Sequence, residues 1–351
     1  MNTIGNNIKL TSYGESHGPS VGAILDGLPS NFKIDRSYIQ KQLDRRKPGQ
    51  SSITTTRKED DDFEITSGLF DDTTTGAPIH FTIENRNVRS QDYDHLKDVY
   101  RPNHADFTYQ KKYEIRDFRG GGRSSARVTA GWVAGGALVQ DFISKNHNVR
   151  ISAYVRSIGK VTMENVPRYY DVNEVDASIV RCPDVVSASQ MMEEISNAQA
   201  EKDSLGGVVE CVINGMPAGV GDPVFRKLSA QLALAMMSIN ATKGFEIGGG
   251  FEMTKYRGSQ INDSFSANKG KVITETNHSG GVQGGISNGM DIVFRVAFKP
   301  TATIGIEQNT INSLGEEVLL EAKGRHDPCV LPRAVPIVET MAALVLGDFL
   351  V

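Results

Sequence analysis

The sequence predicts one large domain that mixes strands and helices, and three observations support this prediction. Residues 20–46 and 207–237 share one order: an apolar run, a turn and a helical segment. An apolar helical segment rich in small residues follows residue 125. No linker or low-complexity run divides the 351 residues. We therefore expect a single domain over 1–351, although this length also allows two domains.

The first of the two units begins with SVGAILDGLPSNFK, in which an apolar run ends in a turn at Asp26 to Pro29. Apolar side chains at helical spacing follow: Ile34, Tyr38, Ile39 and Leu43. The second unit, GVVECVINGMPAGVGDPVFRKLSAQLALAMM, repeats this order. The repetition predicts an internal duplication with both helices in one core.

The remaining elements are predicted from composition. Residues 128–143, VTAGWVAGGALVQDFI, are typical of a buried helix, with an N-cap at Ser124 or Ser125. The polar, acidic segment from 160 to 205 indicates a peripheral strand and helix. MDIVFRVAF alternates as a strand does, and PIVETMAALVLGDFL predicts a closing helix with Pro336 in its first turn.

Composition excludes several classes of protein. The net charge is −4, which argues against a general nucleic-acid or membrane-surface binder. No apolar run approaches the ~18 residues of a membrane span. The three cysteines, Cys182, Cys211 and Cys329, are far apart, and the N-terminus lacks a signal-like pattern. These features predict a soluble, reduced, cytoplasmic protein.

Glycine is abundant, at 35 residues, and much of it is clustered. The run FRGGGRSSAR, residues 118–127, predicts an anion-binding site. Its glycines expose backbone amides, a helix starts after it, and it carries the positive side chains of Arg119, Arg123 and Arg127. This run lacks the lysine of an ATP-binding loop, and a solvated turn is its alternative explanation. GFEIGGGF and SGGVQGGISNG are also explained by bulges and hairpin turns. KPTAT, Lys299 to Thr303, offers an ammonium group and two hydroxyls to a phosphate or a flavin.

Arginines and histidines recur beside polar turns. Arg45 and Arg46 stand in LDRRKPG, Arg101 in RPNHAD and Arg325 in GRHDPC. Convergence of these guanidinium groups predicts a site for a small polyanion, because they match phosphate and carboxylate.

Proton transfer has its own candidates. The histidines that lie in polar turns are His17 in GESHG, His104 in RPNHAD and His326 in GRHDPC. Asp327, beside Pro328, suits a rigidly held base or a simple salt bridge. No HxxxH, HExxH or CxxC spacing occurs, so we expect no metal site.

Eight motifs occur in one order between residues 14 and 330: GESHG, LDRRKPG, RPNHAD, RGGGRSSAR, SINATKGFEIGGGF, GGVQGGIS, FKPTAT and GRHDPCV. Together they closely resemble the chorismate synthase family. The resemblance implies an α+β fold, a β-α-β sandwich with helices enclosed between antiparallel sheets, assembled as a homotetramer. It also implies a lyase, which performs a reduced-FMN-dependent anti-1,4-elimination of phosphate from 5-enolpyruvylshikimate 3-phosphate. The product is chorismate, and the step is the last common one of aromatic amino acid biosynthesis in the shikimate pathway.

The resemblance also assigns roles to residues. His17 would protonate the departing phosphate, His104 would protonate the reduced flavin, and Asp327 would take a proton from flavin N5. The implied substrate contacts are Ser16, Arg46, Arg101, Ser125, Arg127 and Arg325. The implied FMN contacts are Arg123, Ser124, Ser125, Asn240, Ala241, Gly284, Lys299, Pro300, Thr301, Ala302, Thr303 and Arg325.

The chain departs from the family pattern at two positions. Asn103 stands where glycine or serine is common. Ser52 stands where arginine is frequent in the family. Whether Arg46 and Ser52 contact NADP or a phosphate is therefore an open question, and Arg57 could replace the missing arginine. We expect a separate flavin reductase or another source of reduced FMN. The alternatives are a non-catalytic phosphate-, nucleotide- or RNA-binding protein and an ATP-dependent transferase, for which no phosphate loop was found.

Overall fold

The structure is a computed structural model, and it describes residues 1–51, 53–54, 59–86, 90–164, 166–268, 270–321 and 327–351. The α-helices in these ranges are α1 Arg36–Arg46, α2 Asp106–Tyr113, α3 Thr129–His147, α4 Val172–Asp176, α5 Val185–Ala200, α6 Leu228–Met237, α7 Gly258–Ile261 and α8 Leu331–Leu350.

Eighteen strands accompany them in the same ranges. In chain order they are β1 Thr3–Ile4, β2 Lys9–Gly14, β3 Ser20–Asp26, β4 Phe63–Ser67, β5 Leu69–Phe70, β6 Thr73–Thr74, β7 Ile79–Glu84, β8 Arg150–Ile158, β9 Val161–Thr162, β10 Gly207–Asn214, β11 Thr242–Ile247, β12 Phe265–Asn268, β13 Lys271–Thr274, β14 Val282–Gln283, β15 Ile286–Ser287, β16 Ile292–Phe298, β17 Gln308–Ile311 and β18 Glu317–Leu320.

Two five-stranded antiparallel sheets form the frame of the fold. The first has the spatial order β1-β2-β3-β7-β4, and the second has the order β9-β8-β10-β16-β11. Four strands of each sheet follow the same path with their two core helices: β2, β3, α1, β4, β7 and α3 in the first, and β8, β10, α6, β11, β16 and α8 in the second, with other elements inserted between them. In both, the strand before the first helix is central, and the strand after that helix lies at the edge. This repeated topology is the one that the predicted duplication requires.

The second helix of each repeat lies between the sheets. Helix α3 packs on β2, β3 and β7, α8 packs on β8 and β10, and the two helices pack against each other. Small residues make this possible, because a Cβ added to Gly136 would lie 2.6 Å from the backbone oxygen of Thr340. The core is continuous from one sheet to the other through these helices. The predicted sandwich, with helices enclosed between antiparallel sheets, is confirmed.

Two predicted helix starts need correction. Helix α3 begins at Thr129, since Ser125 caps a preceding 3₁₀ turn, Ala126–Val128, through the backbone amide of Arg127. Helix α8 begins at Leu331, so Pro336 lies inside the helix rather than in its first turn. Proline has no N–H to donate to the carbonyl four residues earlier. Arg181 Nη1 donates to that carbonyl, Pro332 O, and so replaces the missing partner.

Candidate active site

A cavity of about 730 Å³ opens where the two repeats meet. Its lining comes from the chain start and the end of α1, the loop before α2, and the glycine loop with the start of α3. The rest comes from the end of α6, the segment after β16 and the start of α8. This volume is in the usual range for small-molecule sites. The cavity gathers residues from positions 1 to 341, so only the folded chain forms it.

The glycine run lies close to two histidines. A Cβ added to Gly120 would lie 2.1 Å from His17 Cε1, and one added to Gly121 would lie 3.4 Å from His104 Cε1. Both glycines have positive φ angles, 65° and 87°, which residues with a Cβ rarely adopt. The bare backbone therefore lets both imidazoles approach the same loop closely.

His17 lies one layer behind the cavity wall. Its Nδ1 is 3.1 Å from Ser16 Oγ, and its ring packs edge-on against Tyr93 with ring centroids 5.0 Å apart. Gly120 and Tyr93 line the cavity, whereas Ser16 and His17 contact it through them. Sequence reasoning placed both residues in the site, and the structure brings them to its edge.

His104 and Arg101 line the cavity and share one buried carboxylate. Arg101 donates from Nε and Nη2 to Asp106, each at 2.8 Å, and His104 Nδ1 lies 3.0 Å from Asp106 Oδ1. Burial alone would raise the pKa of Asp106, but the hydrogen bonds from Arg101 and His104 hold this pKa well below its ordinary value. Burial lowers the pKa of His104, Asp106 opposes this shift, and Arg101 and Lys299 act in the same direction as burial. Neutral imidazole beside ionised carboxylate is therefore the favoured state.

Arg46 and Arg127 share a second buried carboxylate. Asp61 accepts from Arg46 Nη2 at 2.5 Å through one oxygen and from Arg127 Nη1 through the other. Burial would raise the pKa of Asp61, but the two arginines lower it to about 2. Burial lowers the pKa of Arg46 to about 10, with Asp61 opposing this shift. Both arginines are thus positioned by the protein rather than free at a surface.

Asp327 also lies at the cavity, in an ion pair with Arg333 Nη1. Arg333 Nε donates to the backbone oxygen of Arg46 at 3.1 Å, and Thr301 Oγ1 donates to the backbone oxygen of Asp327 at 3.0 Å. The salt bridge that sequence reasoning allowed for Asp327 therefore exists, with a partner from the first turn of α8.

Most of the predicted FMN contacts line the same cavity: Arg123, Ser124, Ser125, Asn240, Ala241, Lys299, Thr301, Ala302 and Thr303. Asn240 Nδ2 donates to the backbone oxygen of Ser124 at 2.8 Å, while Asn240 Oδ1 is buried with no partner among the described residues. Ala241 has a φ of 68°, and its carbonyl accepts from the backbone N–H of Lys299 at 2.9 Å. The segments on either side of the cavity are thus joined directly.

Arg123 is fixed by the start of the chain. Its Nη1 donates to Gly14 O at 2.9 Å, and its Nη2 donates to Asn2 Oδ1 at 3.2 Å. This guanidinium therefore ties the glycine loop to β2.

Two predicted FMN contacts lie off the cavity lining. Pro300 stands between Lys299 and Thr301, both of which line the cavity. Gly284 forms the tight turn of the β14–β15 hairpin, whose next residue, Gly285, accepts from the backbone N–H of Leu228 at 2.8 Å. That contact is at the start of α6, whereas the cavity meets the end of this ten-residue helix, roughly 15 Å away. The structure does not bring Gly284 to the cavity of its own chain.

Some predictions fall outside the described residues: Ser52, Arg57, Arg325 and His326. At the other departure from the family pattern, Asn103 has a φ of 55°, a left-handed conformation that asparagine tolerates better than most residues.

Sequence reasoning missed the acidic partners and one aromatic residue. Asp106 stood inside RPNHAD without a role, and Asp61 stood in an acidic run. Arg333 follows GRHDPC closely, so its proximity in sequence was an available signal. Trp132, the only tryptophan of the chain, lines the cavity, and its Nε1 is buried with no partner among the described residues.

No group of three or more metal-ligating side chains occurs among the described residues. In the same ranges no helix is long and apolar enough to cross a membrane. The cysteines Cys182, Cys211 and Cys329 are buried and unpaired.

A cavity that joins positioned arginines, a histidine and a carboxylate is typical of an enzyme that acts on a small polyanionic molecule. A family model described as chorismate synthase matches residues 8–351, and the chain therefore belongs to the chorismate synthase family. A chorismate synthase of Parabacteroides distasonis is 53% identical over 350 residues, covering 100% of this chain and 98% of that protein. One of Synechocystis sp. is 54% identical, covering 99% and 97%.

A crystal structure of chorismate synthase superposes with a TM-score of 0.79 at 31% identity, covering 99% of this chain and 92% of that one. These similarities confirm the predicted family, the α+β fold and the lyase class. None of them favours the nucleotide- or RNA-binding alternative.

Proposed function

We propose that this chain eliminates phosphate from 5-enolpyruvylshikimate 3-phosphate, with reduced FMN bound beside it, and releases chorismate. One observation carries the proposal: the arginines, His104 and Asp327 meet in one cavity with His17 directly behind its wall. The substrate has one phosphate and two carboxylates, and FMN adds another phosphate. A cavity built from guanidinium groups matches these anions in charge and geometry.

The cavity suits a flavin as well as a phosphate. Three buried polar atoms of lining residues lack partners among the described residues: Asn240 Oδ1, Trp132 Nε1 and Arg46 Nε. Buried polar atoms normally have partners, so a ligand with both donors and acceptors would satisfy this set. A flavin ring offers both. Asn240, Ala241 and Lys299 to Thr303 would hold it, and reduced FMN would supply electron density to the substrate as phosphate leaves.

The arginines are placed to hold the substrate rigidly. Arg101 keeps Nη1 and Arg333 keeps Nη2 without a hydrogen-bond partner among the described residues, although both side chains are anchored through their other nitrogens. Anchored guanidinium groups lose little further freedom on binding. These two arginines would therefore orient the anionic groups of the substrate.

Three groups of the chain would handle protons. His17 would donate to the departing phosphate oxygen, with Ser16 Oγ, 3.1 Å from Nδ1, holding the ring. His104 would take up a proton at the cavity face and pass it on there, and the Asp327 carboxylate would accept one, after exchanging its pairing with Arg333 for contact with the ligand. An imidazolium at His17 would also offset the negative charge that develops as the carbon–oxygen bond breaks.

The test is an anaerobic assay with enzymatically or chemically reduced FMN and the phosphorylated enolpyruvyl substrate. We expect stoichiometric phosphate and chorismate. His17→Ala should lose most turnover while it still binds FMN, and Asp327→Asn should slow proton removal without abolishing flavin binding. Pure protein that binds both ligands and forms no chorismate would contradict the proposal.

The same family suggests a homotetramer and a separate reductant, and both belong to this proposal. Sedimentation of the pure protein tests the first. Assay with photoreduced FMN, compared with NADPH alone, tests the second, since we expect turnover only with the reduced flavin.

A further inference from the structure

Asp106 has no role in the scheme above, yet it is the centre of the polar contacts around His104. It accepts from the backbone N–H of Arg101 at 3.1 Å, from two nitrogens of the Arg101 fork, and from His104. Arg116 Nη1 adds a further ion pair at 3.3 Å. Asp106 is 3% exposed and does not line the cavity, whereas His104 and Arg101 do.

These contacts decide which nitrogen of His104 carries the proton. An ionised carboxylate only accepts hydrogen bonds, and two guanidinium groups keep this one ionised. The neutral imidazole must therefore carry its hydrogen on Nδ1, 3.0 Å from Asp106 Oδ1. The opposite edge of the ring faces the glycine loop, since a Cβ on Gly121 would lie 3.4 Å from Cε1 and 3.8 Å from Nε2.

We propose that Asp106 is a positioning residue that fixes His104 in its Nδ1–H tautomer and leaves Nε2 as the reactive nitrogen at the cavity. The same carboxylate holds the Arg101 fork, so the histidine and a substrate-orienting arginine form one rigid unit. When His104 takes up a proton at Nε2, Asp106 stabilises the resulting imidazolium. The inference rests on the proposed function only where it assigns work to His104, and the tautomer itself can be tested without any ligand.

The first experiment observes the tautomer directly. Protein labelled with ¹⁵N-histidine is examined by long-range ¹H–¹⁵N correlation above pH 7, with His104→Ala to assign the signal among seven histidines. We expect Nε2 of His104 to be unprotonated in the wild type. In Asp106→Asn, whose amide can donate as well as accept, we expect a shift toward the Nε2–H form. Nε2–H as the main wild-type form, or no change in folded Asp106→Asn, would overturn the proposal.

The second experiment separates positioning from simple structural support. Asp106→Asn should lower kcat about 10- to 100-fold, as loss of an orienting partner does elsewhere. In a His104→Ala background the same substitution should lower kcat by a clearly smaller factor, because the part of its effect that acts through His104 is already gone and only the hold on Arg101 remains. A full, additive loss in that background would show that Asp106 acts through the fold and not through His104.

A matched control is available on the surface. Asp72 accepts from Arg36 Nε at 2.7 Å, and its side chain is 40% exposed. Asp72→Asn should leave the His104 signal unchanged and kcat within about twofold of the wild type. Thermal unfolding of each variant shows whether it folds. Should Asp106→Asn not fold, the wild-type tautomer still decides the matter, since Nε2–H there overturns the proposal.

Discussion

Replacement of Gly120 by alanine tests the geometry of the glycine loop most sharply. The added Cβ would lie 2.1 Å from His17 Cε1, 2.3 Å from His17 Nδ1 and 3.1 Å from Ser16 Oγ. Ordinary contacts begin near 3.4 Å, so the imidazole or the loop must move by about 1 Å. Gly120 also has a φ of 65°, which adds backbone strain to any residue with a Cβ.

The backbone strain should appear in the stability of the protein, and the displacement of His17 should appear in its turnover. Left-handed strain should reduce the free energy of unfolding by about 1–2 kcal/mol. Displacement of a reacting group by about 1 Å can lower turnover about 100-fold. We therefore expect Gly120→Ala to be moderately less stable and about 100-fold slower in the anaerobic phosphate-release assay.

Gly122→Ala is the matched control. Gly122 has a φ of 51°, and its added Cβ would meet only Asp117, with the nearest atom at 3.3 Å. It should show a similar loss of stability while it keeps most of its turnover. Equal turnover of the two variants would refute the claim that Gly120 is bare in order to admit His17.

Three further predictions concern the paired charges. Asp61→Asn should lower the free energy of unfolding by about 3–5 kcal/mol, because Arg46 and Arg127 lose their shared counter-ion; urea denaturation measures this, and a loss below about 1 kcal/mol contradicts the pairing. The folded pKa of Asp61, about 2, lies below the ordinary 3.8, so its contribution of about 2 kcal/mol is present above about pH 4 and lost as the pH falls toward about 2. Thermal unfolding across that range should therefore cost the wild type more stability than Asp61→Asn. Arg333→Met should lower kcat about tenfold or more, because Asp327 loses the half-buried guanidinium that positions it; unchanged kinetics would remove Arg333 from the site.

Much of the fold was predictable because local patterns are strong there. The alternation in MDIVFRVAF became β16, and the two strand–turn–helix units became β3 with α1 and β10 with α6. The start of α8 was missed because Pro336 resembles a first-turn proline. The carbonyl of Pro332, which Pro336 cannot hydrogen-bond, accepts instead from Arg181, about 150 residues earlier in the chain. No local sequence pattern reveals such a contact.

The positively charged side chains of the site were predictable from the sequence, but the carboxylates that pair with them were not. Sequence reasoning identified Arg46, Arg101 and Arg127 from their motifs, but treated their charges as free. Carboxylates are common on protein surfaces, so Asp61 and Asp106 carry no sequence signal of burial. Only the folded structure shows that each of these carboxylates positions arginine side chains and neutralises part of their charge.

The most direct test of the central claim uses Trp132, the only tryptophan of the chain, which lines the cavity. Its fluorescence is measured as FMN is added to the protein with substrate present, with N-acetyltryptophanamide correcting for absorption by free FMN. If the flavin occupies the cavity between the two repeats, emission should be almost wholly quenched in step with binding. Full emission with FMN bound would place the ligand elsewhere and contradict the account.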